Sequence, residues 1–133
     1  MVDSSAIAAI LFKESEASGC MSALREYDLR LISAVNYVEL GTVLAGRARP
    51  ENRLNALANL DDYLNDFFIT IAPVDDRLAR AALKARIEFG QGFGTRGGLN
   101  FGDCFAYALA RQHDAPLLYV GNDFARTDIR SAL

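Results

Sequence analysis

Four carboxylates lie beside apolar segments of this sequence, where solvation alone does not explain an acid. Asp3 follows two apolar residues, Glu39 lies on an apolar stripe at helical spacing, Asp103 opens an apolar helix-like run, and Asp123 follows an apolar strand-like run. A buried carboxylate without a partner is costly, so it either becomes neutral or finds a cation. No lysine is close to any of the four along the sequence. A shared divalent metal ion is the simplest explanation.

The composition predicts one globular domain over residues 1–133. Of the 133 residues, 51% are hydrophobic and 23% are charged, which suits one domain with a core and is too short for two. No apolar run approaches the about 20 residues of a membrane span, and no basic segment precedes an apolar one as in a signal peptide. The two cysteines lack CxxC spacing and a nearby histidine, which argues against a zinc site and a disulfide framework. We therefore expect a cytoplasmic protein with no membrane partner.

The charge pattern limits the partners without choosing one. A net charge of −3 disfavours a large non-specific nucleic-acid surface, but it does not exclude a nucleic-acid substrate. The cations are almost all arginines, which bind phosphate bidentately, with Lys13 and Lys84 as the exceptions. Arg96 lies in a glycine-rich stretch, 90–98, that predicts a flexible loop. Contact with a phosphate and simple solvation are both open for this arginine.

Helical and strand-like patterns alternate along the chain. Strands that alternate with helices imply a parallel sheet with helices on both faces. Gly46, with Pro50 nearby, predicts the end of one helix. The predicted helices cover 5–12, 14–25, 34–46, 51–65, 77–89 and 103–112, and the predicted strands cover 29–33, 67–72 and 117–120.

This order of elements gives the four acids a reason to meet. In open parallel sheets, sites form at the carboxyl ends of the strands. Asp3 and Asp123 each follow a predicted strand directly, and Glu39 follows the 29–33 strand by about one or two helical turns. Asp103, at the start of a helix, can be aimed at the same edge.

Most of these acids also have a local explanation. Asp is a good N-cap, so Asp3 and Asp103 could serve only to begin their helices. Asp123 lies in a turn-like composition that tolerates Asp for local reasons. Glu39 has the weakest local explanation, because an acid inside a helix on an apolar stripe needs a partner.

Four segments carry the four acids: 2–6 (VDSSA), 33–40 (SAVNYVEL), 99–104 (LNFGDC) and 121–129 (GNDFARTDI). In this order and at these spacings they resemble the PIN-domain ribonucleases, most closely the VapC toxins of bacterial toxin–antitoxin pairs. The third segment is the most specific, and the resemblance covers essentially the whole chain. The first strand is shorter than is usual in the family, and Asn122 stands where another acid sometimes occurs.

The resemblance implies a PIN-like three-layer α/β/α sandwich with a mainly parallel central sheet, and a metal-dependent endoribonuclease. RNA would be hydrolysed by metal-activated water, which fits the absence of a Ser–His or Cys–His constellation. The single histidine, His113, lies at a predicted helix C-terminus, where a cation is ordinary. By resemblance, the catalytic residues and ligands of Mg²⁺ or Mn²⁺ are Asp3, Glu39, Asp103 and Asp123, with possible support from Ser5, Asn122, Thr127 and Asp128.

The resemblance also implies partners. The protein would form a homodimer and bind RNA as its substrate, and a VapB-like antitoxin would silence it in a heterotetramer or a larger assembly. An antitoxin arginine in the acidic pocket would replace the metal as counter-charge. The amphipathic stretches 17–24 and 51–64 are the predicted antitoxin-binding groove.

Two alternative functions differ in class from this one. A Mg²⁺-binding phosphotransfer or phosphatase-like α/β domain also clusters acids at strand ends, but it needs a lysine near the last strands or a DxD pair after the first. Lys13 and Lys84 are misplaced for that role, and Asp3 is followed by two serines. The other alternative is a catalytically silent PIN-like binding module, against which the complete set of acids argues.

Overall fold

Helices surround a small parallel sheet in this computed structural model, which describes residues 1–93 and 98–133. A 3₁₀ turn, Pro50–Asn52, precedes the fourth helix. The helices of these residues are α1 (Ser4–Leu11), α2 (Ala17–Glu26), α3 (Ala34–Arg47), α4 (Arg53–Asp66), α5 (Asp76–Phe89) and α6 (Phe101–Gln112), and the strands are β1 (Leu31–Ser33) and β2 (Thr70–Ala72).

The sheet is parallel, as the alternation of elements predicts. Strands β1 and β2 pair in parallel. The N-terminal residues lie on the other side of β1, because Val2 N donates to Leu31 O at 2.9 Å and Val2 forms a parallel bridge with Leu118. The carboxyl ends of these segments therefore meet at one edge of the sheet, which is where Asp3 lies.

Two hydrophobic clusters lie on the two faces of the sheet. Successive strand residues point to opposite faces. Accordingly, Met1 and Leu117 join the cluster formed with α5 and α6, whereas Val2 and Leu118 join the cluster formed with α1 to α4. This arrangement confirms the predicted three-layer α/β/α sandwich.

The predicted strand 67–72 was wrong in its first half. The strand begins only at Thr70, because Phe67 caps α4 and Phe68 turns the chain with φ 53°. Phe68 N donates to Asn65 O at 3.0 Å, and Phe68 is 77% exposed. The sequence pattern predicts a strand that includes this aromatic pair, but the pair ends a helix.

Other boundaries also differ from the prediction. Helix α3 continues through Gly46 and ends ahead of Pro50, whose ring disfavours helical backbone in the preceding residue. The predicted helix 14–25 begins only at Ala17, because the chain first turns through Lys13 at φ 56°. The predicted strand 117–120 is reduced to bridges at its first two residues.

The predicted loop 90–98 is closed at its base. Gly90 and Leu99 form a parallel bridge, and Gly98 N donates to Phe89 O at 2.8 Å. Residues 94–97, and with them Arg96, lie outside the described residues. Across the described part of the chain, no helix has the length and apolar character needed to cross a membrane.

Candidate active site

Asp3 is both the N-cap of α1 and a buried acid of the site. Its Oδ2 accepts hydrogen bonds from Ser5 N at 3.0 Å and from Ser5 Oγ at 2.6 Å. Ser5 Oγ in turn accepts from Val120 N at 3.0 Å, which fixes the hydroxyl against the end of the neighbouring strand segment. Asp3 is only 2% exposed, and this burial raises its pKa, with the charge of Glu39 adding to the effect and the Ser5 bonds opposing it. The capping role and the predicted site role therefore coexist.

Glu39 reaches the same edge from the second turn of α3. Its Oε2 accepts from Ser4 Oγ at 2.7 Å, so the first helix holds this carboxylate as well. The first turn of α6 lies directly against it: a Cβ added to Gly102 would stand 2.6 Å from Glu39 Oε2. The absence of a side chain at position 102 is what allows this close approach.

Asp103 lies in the first turn of α6, but it is not the N-cap that local reasoning offered. Asn100 caps the helix, and the two residues form a capping box: Asn100 N donates to Asp103 Oδ2 at 2.7 Å, and Asp103 N donates to Asn100 Oδ1 at 2.9 Å. Burial is the main cause that raises the pKa of Asp103 from 3.8 to about 7, and the charges of Asp3, Asp123 and Glu39 raise it further. The charges of the other three acids therefore act on Asp103.

Asn36 is a central residue of the site that sequence reasoning missed. It is fully buried, and its Nδ2 lies 3.0 Å from Asp3 Oδ1, 3.2 Å from Gly102 O and 3.5 Å from Glu39 Oε2. Its spacing of three from Glu39 on one helix was the signal that could have found it. Sequence reasoning also missed Ser4, Asn100 and Gly102 as residues of the site.

Asp123 and two predicted supporting residues lie on the open side. Asp123 is exposed in the turn after segment 117–118, and its charge reaches Asp103. Asn122 is exposed beside it. Thr127 Oγ1 donates to Phe124 O at 2.8 Å and so closes its own turn.

Asp128 is held away from the acidic cluster. Its Oδ1 accepts from Tyr107 OH at 2.6 Å, and its Oδ2 lies 3.5 Å from an Arg111 guanidinium nitrogen. The Tyr107 hydrogen bond, followed by the Arg111 charge, lowers the pKa of Asp128. These contacts anchor the C-terminal tail to α6. His113, at the C-cap of that helix, is where the sequence placed it.

The four acids have the donor chemistry of a hard-cation site. In residues 1–93 and 98–133, the ion pairs use Asp76, Asp114 and Asp128, and none reaches the four acids. In the same residues, no group of three or more His, Cys, Asp or Glu side chains is arranged so that it could hold a metal ion. Mg²⁺ keeps several waters and commonly uses one or two carboxylates, so buried oxygen donors without a cation fit it and the similar Mn²⁺.

Comparison with known proteins identifies the family. The model of the PIN domain family matches residues 1–130. The chain is 42% identical to Ribonuclease VapC28 of Mycobacterium tuberculosis over 133 residues, covering 100% of this chain and 97% of that protein. It is 43% identical to Ribonuclease VapC42 of the same species, covering 99% and 98% of the two chains. The chain therefore belongs to the PIN-domain family, among relatives that are VapC ribonucleases.

Solved structures agree on the fold. Mycobacterium tuberculosis VapC20, described as a sarcin-ricin loop cleaving toxin, matches with a TM-score of 0.70 at 14% identity over 96% of this chain and 94% of that one. A toxin–antitoxin complex from Klebsiella pneumoniae matches with a TM-score of 0.65 at 17% identity, over 93% and 88% of the chains. The predicted PIN-like fold is confirmed.

Proposed function

We propose that this protein is a Mg²⁺- or Mn²⁺-dependent endoribonuclease that hydrolyses RNA phosphodiester bonds in the cytoplasm. The observation that carries the proposal is the acidic cluster, in which Asp3 and Asp103 are buried with raised pKa values and the described residues supply no cationic partner. Membership among VapC ribonucleases supports this chemistry over the phosphotransfer alternative.

The chain's own residues would hold and orient the ion. Asp3, Glu39, Asp103 and Asp123 would bind it. Ser5 fixes Asp3 through a hydrogen bond of 2.6 Å, and Ser4 fixes Glu39 through one of 2.7 Å. An ion bound there lowers the pKa of a water molecule and neutralises charge on the phosphate. Because Asp123 is exposed whereas Asp3 and Asp103 are buried, RNA would approach from the Asp123 side.

The products of cleavage test this proposal. Attack by water leaves a linear monophosphate, whereas attack by the RNA's own 2′-hydroxyl leaves a 2′,3′-cyclic phosphate. We expect end-labelled RNA to be cut into products with linear monophosphate ends. Cyclic phosphate ends would contradict hydrolysis by water, and a folded protein that cuts no RNA would favour the silent binding module.

We also propose that a VapB-like antitoxin neutralises the protein, which would form a homodimer and join the antitoxin in a heterotetramer or a larger assembly. A related fold occurs in a toxin–antitoxin complex, and an arginine is a suitable counter-charge for buried carboxylates. Expression alone should arrest growth, and co-expression of a small protein encoded beside it should relieve the arrest. Inhibition of purified protein should weaken as Mg²⁺ rises. Inhibition that is insensitive to Mg²⁺ would show that the antitoxin acts outside the acidic pocket.

A further inference from the structure

We propose that Asn36 is a positioning residue that fixes the spacing between Asp3 and the first turn of α6. The proposal rests on the proposed metal-dependent function, and it adds a residue that is neither a ligand nor a substrate contact. Asn36 is fully buried in α3, so its side chain can act on RNA only through the groups it touches.

The orientation of the Asn36 amide follows from its neighbours. One end of the amide faces Asp3 Oδ1 at 3.0 Å and Gly102 O at 3.2 Å. The Gly102 carbonyl can only accept a hydrogen bond, and so can the Asp3 carboxylate when it is ionised. The other end accepts a hydrogen bond from the Ser33 hydroxyl. The NH₂ group must therefore point at the acids, and its two protons suit the two nearest acceptors.

The Asn36 amide completes the restraint of the Asp3 carboxylate. Ser5 donates two bonds to Oδ2, and Asn36 donates one bond to Oδ1, so both oxygens are held. The same NH₂ group holds the carbonyl of Gly102, the residue directly before Asp103. A single amide thus sets the distance between two acids that are 100 residues apart in sequence, Asp3 and Asp103.

A neutral donor suits this position better than a cation. Lysine or arginine would pair with the acids and compete with a metal ion for them. An amide donates two hydrogen bonds to the cluster without supplying positive charge.

The contacts of Asn36 separate this role from a role in helix capping. The cap of α3 uses the backbone N of Asn36, which donates to Ser33 Oγ at 3.1 Å. The Nδ2 atom takes no part in that cap, and its three close acceptors all belong to the acidic site. Removal of the amide should therefore disturb the site more than the helix.

The experiment compares Asn36→Ala and Asn36→Leu with two controls. Asn36→Leu keeps most of the side-chain volume, so the fold survives if the alanine leaves too large a cavity. Asn55→Ala makes the same truncation on the exposed surface of α4, and Ile69→Val lowers stability through the buried core. Each protein is measured for thermal unfolding, for Mn²⁺ affinity by calorimetry, and for kcat and KM on RNA.

We expect Mn²⁺ affinity and kcat to fall by about 10- to 100-fold in both Asn36 variants, the range for groups that orient metal ligands. KM for RNA should stay near the wild-type value, because Asn36 is fully buried. Neither control should show these losses. Losses no larger than those of Ile69→Val, or failure of both Asn36 variants to fold, would overturn the positioning role while wild-type cleavage leaves the proposed function intact. A wild-type protein that neither binds Mn²⁺ nor cuts RNA would overturn both.

Discussion

Replacement of Asp103 by Asn tests whether the acidic cluster carries uncompensated charge. Asp103 is 4% exposed, and burial, followed by the charges of Asp3, Asp123 and Glu39, raises its pKa from 3.8 to about 7. A pKa shift of that size corresponds to a free energy of about 4 kcal/mol by which the folded protein disfavours the ionised form of Asp103, since one pKa unit is worth about 1.4 kcal/mol. The wild-type protein should therefore lose stability on ionising this group, and the neutral, nearly isosteric Asn variant should not.

The direction of the pH dependence follows from linkage. The pKa of Asp103 is higher in the folded protein than in the unfolded chain, so the folded protein holds the proton more tightly. The stabilisation of the folded protein by this bound proton is fully present below pH 3.8, and it is lost as the pH rises through about 7. In EDTA, Asp103→Asn should thus gain up to about 4 kcal/mol over wild type between about pH 4 and about pH 8.

Urea unfolding followed by circular dichroism across this pH range measures the difference. Asp62→Asn, which removes the same charge from an exposed position on α4, is the matched control for the loss of one negative charge. The reasoning is refuted if the stability difference between Asp103→Asn and wild type does not change with pH, or if the variant is the less stable protein near neutral and alkaline pH.

Three further predictions concern Gly102, Asp128 and the choice of metal ion. Gly102→Ala should lower RNA cleavage, because its Cβ would meet Glu39 Oε2 at 2.6 Å, whereas Gly46→Ala, whose Cβ meets nothing within 4 Å, should cleave normally in the same assay. Asp128→Asn should keep full cleavage and lose at most about 1 kcal/mol in urea unfolding, because it breaks only an exposed ion pair and the Tyr107 bond. Ca²⁺ should support cleavage poorly compared with Mg²⁺ in a metal-replacement assay, since it takes more ligands at longer distances. Normal cleavage by Gly102→Ala, loss of cleavage in Asp128→Asn, or equal rates with Ca²⁺ would each contradict the corresponding argument.

The sequence predicted the fold and the convergence of the acids because both depend on regular patterns. Alternating strands and helices required a parallel sheet, and Asp3 and Asp123 followed strand-like segments whose carboxyl ends share one edge. The proximity of Asp103 to the other acids follows from the same topology.

The remaining features depend on side-chain contacts between distant elements. Asn36 joins Asp3 to Gly102, and no local pattern shows which acceptors a buried amide will meet. Asp128 resembled a site residue in sequence, but it pairs with Tyr107 and Arg111, which lie further along α6 than Asp103. Phe68 illustrates a third limit, because strand propensity does not reveal where a preceding helix turns the chain.

The rate of RNA cleavage as a function of Mg²⁺, measured after complete chelation for wild type and Asp103→Asn side by side, tests the central claim most directly. We expect wild type to be inactive in EDTA and to recover as Mg²⁺ is added, because its buried acids have no other cation among the described residues. The folded Asp103→Asn protein should stay inactive at every Mg²⁺ concentration. Undiminished cleavage in EDTA, or wild-type rates from the folded variant, would contradict a metal site built on these carboxylates.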